Sequence, residues 1–310
     1  MKIVFMGTPD FAVPSLDILL QNGYDIVGVI TATDKRAGRG NKLQQSAVKK
    51  YALEKGLNVL QPKNLKNADF QAELAALKAE LQVVVAFRML PATVFEMPPK
   101  GTINLHGSLL PQYRGAAPIN WAVINGDTES GVTTFFIEQK IDTGEMIFQA
   151  KVPIAETDTA GNLHDNLQAV GAELLLKTVN AIRDGDYPRT KQVLEGESKK
   201  APKIFKETCK INWEQPTASV YNFIRGMSPY PTAFTHLDGK SLKVFSSEKI
   251  IEAHDYKVGT WLSDGKKFLR VATLDGFVEL KEIQLQGKKR MMADAFLRGY
   301  KLSDEVVILS

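Results

Sequence analysis

The sequence predicts an α/β protein: a doubly wound, mostly parallel Rossmann-like sheet, followed by a small OB-like β-barrel. Three observations carry this. Over the first 188 residues short apolar strand runs alternate with helical runs, the pattern of βαβ units. The strand runs are rich in β-branched and aromatic residues, as suits strands buried in a parallel sheet. Beyond residue 207 the helical spacing gives way to five short β-rich runs separated by turn residues, the pattern of a small barrel.

In chain order, KIVFMG (2–7) ends a β-branched and aromatic run in glycine and reads as a buried strand. Residues 11–23 have helical apolar spacing and a glycine stop. YDIVGVIT (24–31) is a second strand. Residues 32–46, ATDKRAGRGNKLQQS, read as a long connecting loop, and 43–56 as the start and body of a helix. A short strand at 57–62, a helix at 68–80 and strands at 81–87 and 101–106 complete the alternation. Runs 131–138 and 146–154 read as an antiparallel extension, and 160–182 as a long amphipathic helix closing the domain. From 183 to 207 the chain is polar, charged and weakly periodic, which predicts a linker. A helix near 216–227 precedes the five β-rich runs. The expected division is a domain at 1–188, a linker at 189–206 and a second domain at 207–310.

The totals narrow the class. A chain of 310 residues, 44% hydrophobic and 24% charged, reads as a soluble protein of two domains that needs no staples. The single cysteine, Cys209, excludes an internal disulfide and a cysteine-based zinc site, and fits a reducing cytoplasm. The apolar run at the start is too short for a signal peptide, and no later run approaches membrane length. No membrane partner is expected. The net charge of +4 suits an anionic partner without demanding one.

The chemistry is concentrated in INLHGSLLPQYRGAAPINWAV (103–123). Strand side chains alternate faces, so Asn104 and His106 share one face while Ile103 and Leu105 take the other. Both polar residues end a strand of a parallel sheet, and such sheets bind ligands outside the carboxyl ends of their strands. A satisfied structural Asn and His is the bland alternative. The loop HGSLLPQYRG, with its exposed backbone donors, weighs against it. Downstream, KIDTGEMI (140–147) places Asp142 in a tight Thr-Gly turn. The bland use of such an Asp is to bond its own turn. The chemical use is as a carboxylate partner that orients His106 and favours its charged form.

These stretches resemble the folate-dependent formyltransferases, which share an Asn-x-His motif, an SLLP loop and a later Asp. MGTPDFA (6–12), DKRAGRGNKL (34–43), PKI (202–204) and GKKRMMADAFLRG (287–299) extend the resemblance over essentially the whole chain. It implies a formyl donor, 10-formyltetrahydrofolate, and an acceptor amine, the free α-amino group of methionyl initiator tRNA. It implies Asn104, His106 and Asp142 as the catalytic triplet, with no metal. It implies Ser108, Leu109, Leu110 and Pro111 as the folate-contacting loop, and a monomer. One departure is visible: AFRMLP (86–91) carries Arg88 where the family commonly has an aromatic-Gly pair.

The long basic segment at 32–46 bears Lys35, Arg36, Arg39 and Lys42 against a single acid, Asp34. Connections of this kind are usually short, and a long basic one beside the strand ends suits a phosphate backbone. By the resemblance it enters the acceptor arm. Lys199, Lys200 and Lys203, with Lys288, Lys289 and Arg290, are further candidates for phosphate contacts.

Rivals fit less well. A formyltransferase acting on a nucleotide-linked amino sugar would share the triplet but has no use for the basic loop. An aspartic protease would need a second DTG. MGTPDFA has one glycine where a dinucleotide fingerprint needs three.

Overall fold

The computed structural model describes residues 1–37, 42–194, 196–303 and 306–309. The chain forms two compact units. The first comprises Met1–Gly115, Ser130–Pro153 and His164–Lys200; the second comprises Ala116–Glu129, Ile154–Leu163 and Ala201–Ser310.

In chain order the strands of the first half are β1 (Lys2–Gly7), β2 (Asp25–Ile30), β3 (Lys35–Ala37), β4 (Lys42–Gln44), β5 (Val59–Leu60), β6 (Leu81–Val85), β7 (Thr102–His106), β8 (Arg114–Gly115), β9 (Glu129–Phe136) and β10 (Met146–Pro153). The helices are α1 (Val13–Gln21), α2 (Ala47–Glu54), α3 (Ala68–Ala76), α4 (Ala92–Phe95), α5 (Pro118–Ile124) and α6 (Ala160–Asp184). The main sheet has the order β10-β9-β7-β6-β1-β2-β5. Strands β5, β2, β1, β6 and β7 run parallel, and β9 runs antiparallel to β7. This is the doubly wound sheet with an antiparallel edge that the apolar runs foretell.

Each face of the sheet is sealed by one helical layer. Val4, Met6, Ile30 and Val84 pack with Phe70 and Leu74 of α3 and Val94 of α4. On the other face α6 comes so close that a Cβ on Gly171 would lie 3.0 Å from Leu105. Leu105 therefore belongs to the α6 side, and Asn104 and His106 point to the opposite side.

Two expectations need correction here. The segment 32–46, expected to be a loop, holds two strands: Lys35–Ala37 (β3) and Lys42–Gln44 (β4) pair antiparallel as a ribbon. The next helix accordingly starts at Ala47, not at 43, because Ser46 accepts from the Lys49 N–H at 3.0 Å and caps it.

The second unit is a curled, half-barrel sheet with helices. Its later elements are β11 (Lys200–Ala201), α7 (Thr217–Met227), β12 (Ala233–Leu237), β13 (Lys240–Ile251), β14 (Trp261–Ser263), β15 (Leu269–Ala272), β16 (Gly276–Leu285), β17 (Met291–Met292), α8 (Ala293–Gly299) and β18 (Val306–Ile308). The order is β12-β13-β16-β15-β14-β18, with β17 beside β16. Register shifts between Val244 and Ser247 bend β13, as bulges do. Val220, Ile224 and Met227 of α7 fill the concave side against Leu242, Val244, Val278 and Leu280.

The start of α7 is capped at a distance. Pro216 has no side-chain acceptor, and Asp275 takes both the Thr217 N–H and the Thr217 hydroxyl at 2.7 Å. Those two bonds hold the Asp275 carboxyl below its ordinary range. A depressed native pKa stabilises above the unfolded value of about 3.9 and is lost as pH falls through the native one. Asp275→Asn is therefore expected to cost about 1 kcal/mol at neutral pH and progressively less as the solution is acidified below pH ~4. Urea midpoints of both proteins at neutral and acid pH check this. A gap that stays constant down to low pH would remove the carboxylate from the account.

Candidate active site

The site grows from the end of β7. Asn104 pairs with Val84 on one side and Phe135 on the other, and His106 lies opposite Thr133. His106 is 7% exposed and lies edge-on to Phe135. Its Nε2 is 2.9 Å from the carbonyl oxygen of Tyr113. A carbonyl can only accept, so this contact assigns the proton to Nε2. The other ring nitrogen, Nδ1, faces Asp142 Oδ2 at 3.9 Å. That gap is too long for a hydrogen bond and short enough for a charge pair. Asn104 is half-buried, and among the described residues its carboxamide has no hydrogen-bond partner. The structure thus brings the three residues of the expected triplet to one place, with an uncommitted amide and an uncommitted ring edge.

Asp142 is held by its turn and by a second segment. Its φ of +53° is left-handed, a conformation Asp tolerates better than most residues. Its Oδ2 accepts from the Gly115 N–H at 2.9 Å, and the Thr143 hydroxyl donates to the Lys140 carbonyl. Gly144 runs against β9 so closely that a Cβ would stand 1.7 Å from the Phe136 carbonyl oxygen. The Gln192 amide donates to the carbonyls of both Asp142 (3.0 Å) and Gly144 (2.8 Å), and its own oxygen takes two bonds from Arg114.

The loop after His106 is stapled from below. Ser108 is fully buried, and its hydroxyl donates to the Gln112 carbonyl at 2.6 Å. Thr133 donates to the Ser108 carbonyl and accepts from the Leu110 N–H. Gln149 donates to the Leu110 carbonyl and to the Thr133 hydroxyl. Leu110 is buried, whereas Leu109 and Pro111 remain half-exposed.

Sequence reasoning missed the fasteners. Tyr113, with φ +59°, points its carbonyl at His106 while its N–H donates to the Lys199 carbonyl at 2.7 Å. Thr190 bonds Met146 in both directions through the backbone. Within the expected linker, 189–206, the residues Thr190, Gln192 and Lys199 thus fasten the Met146 backbone, the turn of Asp142 and the Tyr113 peptide of the first unit. A backbone carbonyl leaves no mark in the sequence, since any residue supplies one. Gln192 stands in a polar run where nothing sets it apart.

The profile of the formyl transferase family matches residues 1–179, and that of its C-terminal domain matches residues 203–301. The chain belongs to the formyl transferase family. This formyltransferase is 56% identical to a methionyl-tRNA formyltransferase of Bacteroides thetaiotaomicron, over 98% of this chain and 97% of that one. It is 51% identical to a methionyl-tRNA formyltransferase of Flavobacterium johnsoniae, over 99% of both. Among solved structures it resembles an N-formyltransferase from Helicobacter canadensis, determined with folinic acid and dTDP-3-aminofucose. The TM-score is 0.68, at 24% identity over 94% of this chain and 100% of that one. HypX from Aquifex aeolicus in complex with tetrahydrofolic acid gives 0.64, at 18% identity over 96% of this chain and 47% of that one. At these identities the structural likeness speaks for the fold.

The basic residues of the formyltransferase have mixed fates. Lys35 and Arg36 are exposed on β3 of the ribbon. Arg39 lies outside the described residues, as does the side chain of Lys42, whose backbone belongs to β4. In the second unit Lys288 and Lys289 are exposed at a turn after β16, and exposed Lys203 stands over the Phe205 ring. Arg290 lies over the Phe245 ring and is bidentate to Glu282, so its charge is already matched. Arg88 donates to the carbonyls of Pro62 and Lys63, and with Met89 and Leu90 it lines a cavity of about 430 Å³. Among the described residues no group of His, Cys, Asp and Glu is arranged to hold a metal, and no helix is long and apolar enough to cross a membrane.

Proposed function

We propose that this formyltransferase moves the formyl group of 10-formyltetrahydrofolate onto the free α-amino group of methionyl initiator tRNA. The observation that carries the reading is the full-length match, 56% identity over 98% of the chain, to a methionyl-tRNA formyltransferase. In this reading residues 1–188 carry the chemistry, the linker 189–206 fastens the site through Thr190, Gln192 and Lys199 and offers Lys203, residues 207–310 hold the tRNA, and the enzyme works in the cytoplasm as a monomer.

The neutral amine attacks the formyl carbon, the new C–N bond forms, and negative charge develops on the formyl oxygen. Asn104 supplies an amide N–H to that oxygen, and losing such a donor typically costs about 10²–10³ in rate. His106 acts through Nδ1, because Nε2 is held by Tyr113. Protonated, Nδ1 donates to the same oxygen while Asp142 balances its charge across the 3.9 Å gap. The attacking amine must shed a proton and the departing folate nitrogen must gain one. Asp142 and His106 carry it between them, a role typically worth about 10²–10⁴.

Residues 108–111 would hold the donor. The support is the loop itself: the Ser108 hydroxyl and the Ser108 and Leu110 carbonyls are engaged internally, and Leu109 and Pro111 are left as an apolar seat for a flat heteroaromatic ring. On the acceptor side, Lys35 and Arg36 of β3, with Arg39 and Lys42, contact phosphates, joined by Lys203, Lys288 and Lys289. Arg290 contributes only by exchanging Glu282 for a phosphate.

The test is formyl transfer from 10-formyltetrahydrofolate to methionyl initiator tRNA, with methionyl elongator tRNA and a nucleotide amino sugar alongside. Transfer to the initiator tRNA alone is expected, with affinity falling steeply and linearly on a log–log salt plot. Transfer to the sugar, or a flat salt response, would overturn the acceptor while keeping the chemistry.

A further inference from the structure

At the neck of the ribbon β3–β4, outside the candidate active site, three polar side chains close on one point. Lys49, in the first turn of α2, donates to Asp34 Oδ2 and to Gln61 Oε1, both at 2.7 Å. The Gln61 amide donates in turn to Asp34 Oδ1 (2.8 Å) and to the Ala32 carbonyl (2.6 Å). Just inside, the Thr31 and Ser46 hydroxyls meet at 2.7 Å. The Lys49 and Asp34 side chains are only 14% and 17% exposed, unlike an ordinary surface pair. Gln61, with Lys49, holds the Asp34 carboxyl below the usual carboxylate range.

The cluster ties the outgoing leg of the ribbon to the helix that follows it and to the segment after β5. Beyond the neck, among the described residues, β3 and β4 pair with each other, Lys35 opposite Gln44 and Arg36 opposite Leu43. A two-stranded ribbon alone is marginal in water, and here Leu43 is 61% exposed. Its direction is set where it is rooted.

We infer that Asp34, Lys49 and Gln61 form a positioning clamp that aims the basic ribbon at the tRNA and sets how tightly the acceptor is held, without entering the chemistry. This rests on the tRNA reading above. The clamp acts through the ribbon, so its loss shows in tRNA binding and leaves the formyl transfer step alone. A cluster that served only overall stability would instead lower the melting temperature.

The test takes the full-length protein with Asp34→Asn and Lys49→Met, and Lys49→Arg as the conservative variant. Filter binding of initiator tRNA across salt, steady-state formyl transfer, thermal melting and trypsin cleavage at Lys35 and Arg36 are measured on each. In Asp34→Asn and Lys49→Met, Kd and KM for tRNA are expected to rise about tenfold or more, with kcat at saturation within about twofold of the parent. The log–log salt slope is expected to lose about one phosphate. Cleavage in the ribbon should accelerate at an unchanged melting temperature, because local opening is separate from global unfolding. Lys49→Arg should recover most of the affinity. A parent protein that binds initiator tRNA no better than the variants, with equal cleavage in all, would overturn the clamp alone. A parent that binds no tRNA would overturn the acceptor reading and the clamp's aim with it. A fall in kcat at unchanged KM would place these residues in the chemistry and overturn the proposal.

Discussion

His106→Ala is expected to lower kcat for formyl transfer by about 10³-fold or more while leaving the KM for tRNA within a few-fold. In the proposed mechanism the ring edge at Nδ1 is the point where oxyanion support and proton movement meet, so one truncation removes both. The two contributions are not additive, because the same nitrogen serves both. For the same reason Asp142→Asn added to His106→Ala should cost far less than it does alone. Removing the ring also leaves the Tyr113 carbonyl without its donor, which costs about 1–3 kcal/mol of stability in a buried setting. Rates are therefore compared below the melting temperature of the variant. A variant that keeps a tenth or more of the parent kcat would show that the ring is a packing residue.

Gly144→Ala carries the second large effect, and it acts through the backbone. The added methyl would stand 1.7 Å from the Phe136 carbonyl oxygen, an atom fixed by the strand beside it. Either the turn or the end of β9 must move. A loss of about 3 kcal/mol or more is expected, at the severe end for one substitution. The turn also carries Asp142, and a shift of about 1 Å at such a group can cost about 10² in rate. Gly185→Ala is the control: its φ of +76° is left-handed backbone with nothing within 4 Å of the new Cβ, so only the conformational cost of about 1–2 kcal/mol remains. Denaturant midpoints and kcat of the two variants separate crowding from backbone conformation. Equal losses in both would show that the close approach to Phe136 does not matter.

The parts of this molecule that burial dictates were legible in its sequence. β1, β2, β6 and β7 lie within a residue or two of their expected positions, because apolar β-branched runs bounded by turns have few other uses. The short helices α4 and α8 went unread, since four to seven residues are too few to display a helical period. The ribbon read as a loop because pairs of three residues on either side of a Gly-Arg-Gly tract carry no periodicity. In the site, Asn104 and His106 stood out as polar groups ending an apolar strand, and Asp142 as the acid of a Thr-Gly turn. What orients them was hidden for a different reason. The Tyr113 carbonyl and the Gly115 N–H are main-chain groups, common to every residue, and only the fold gives them a direction.

The fastening residues Thr190, Gln192 and Lys199 bear on how the enzyme comes off the ribosome. Asn104, His106 and Asp142 are all synthesised well before Gln192 and Lys199, which fasten the turn of Asp142 and the Tyr113 peptide. A nascent chain that has emerged only as far as residue 188 holds all three side chains of the proposed triplet. It lacks the partners for the Tyr113 N–H and for the Asp142 and Gly144 carbonyls. Possession of the proposed reactive groups and possession of a set site are thus separated in time during synthesis, and the second waits on residues made later in the chain.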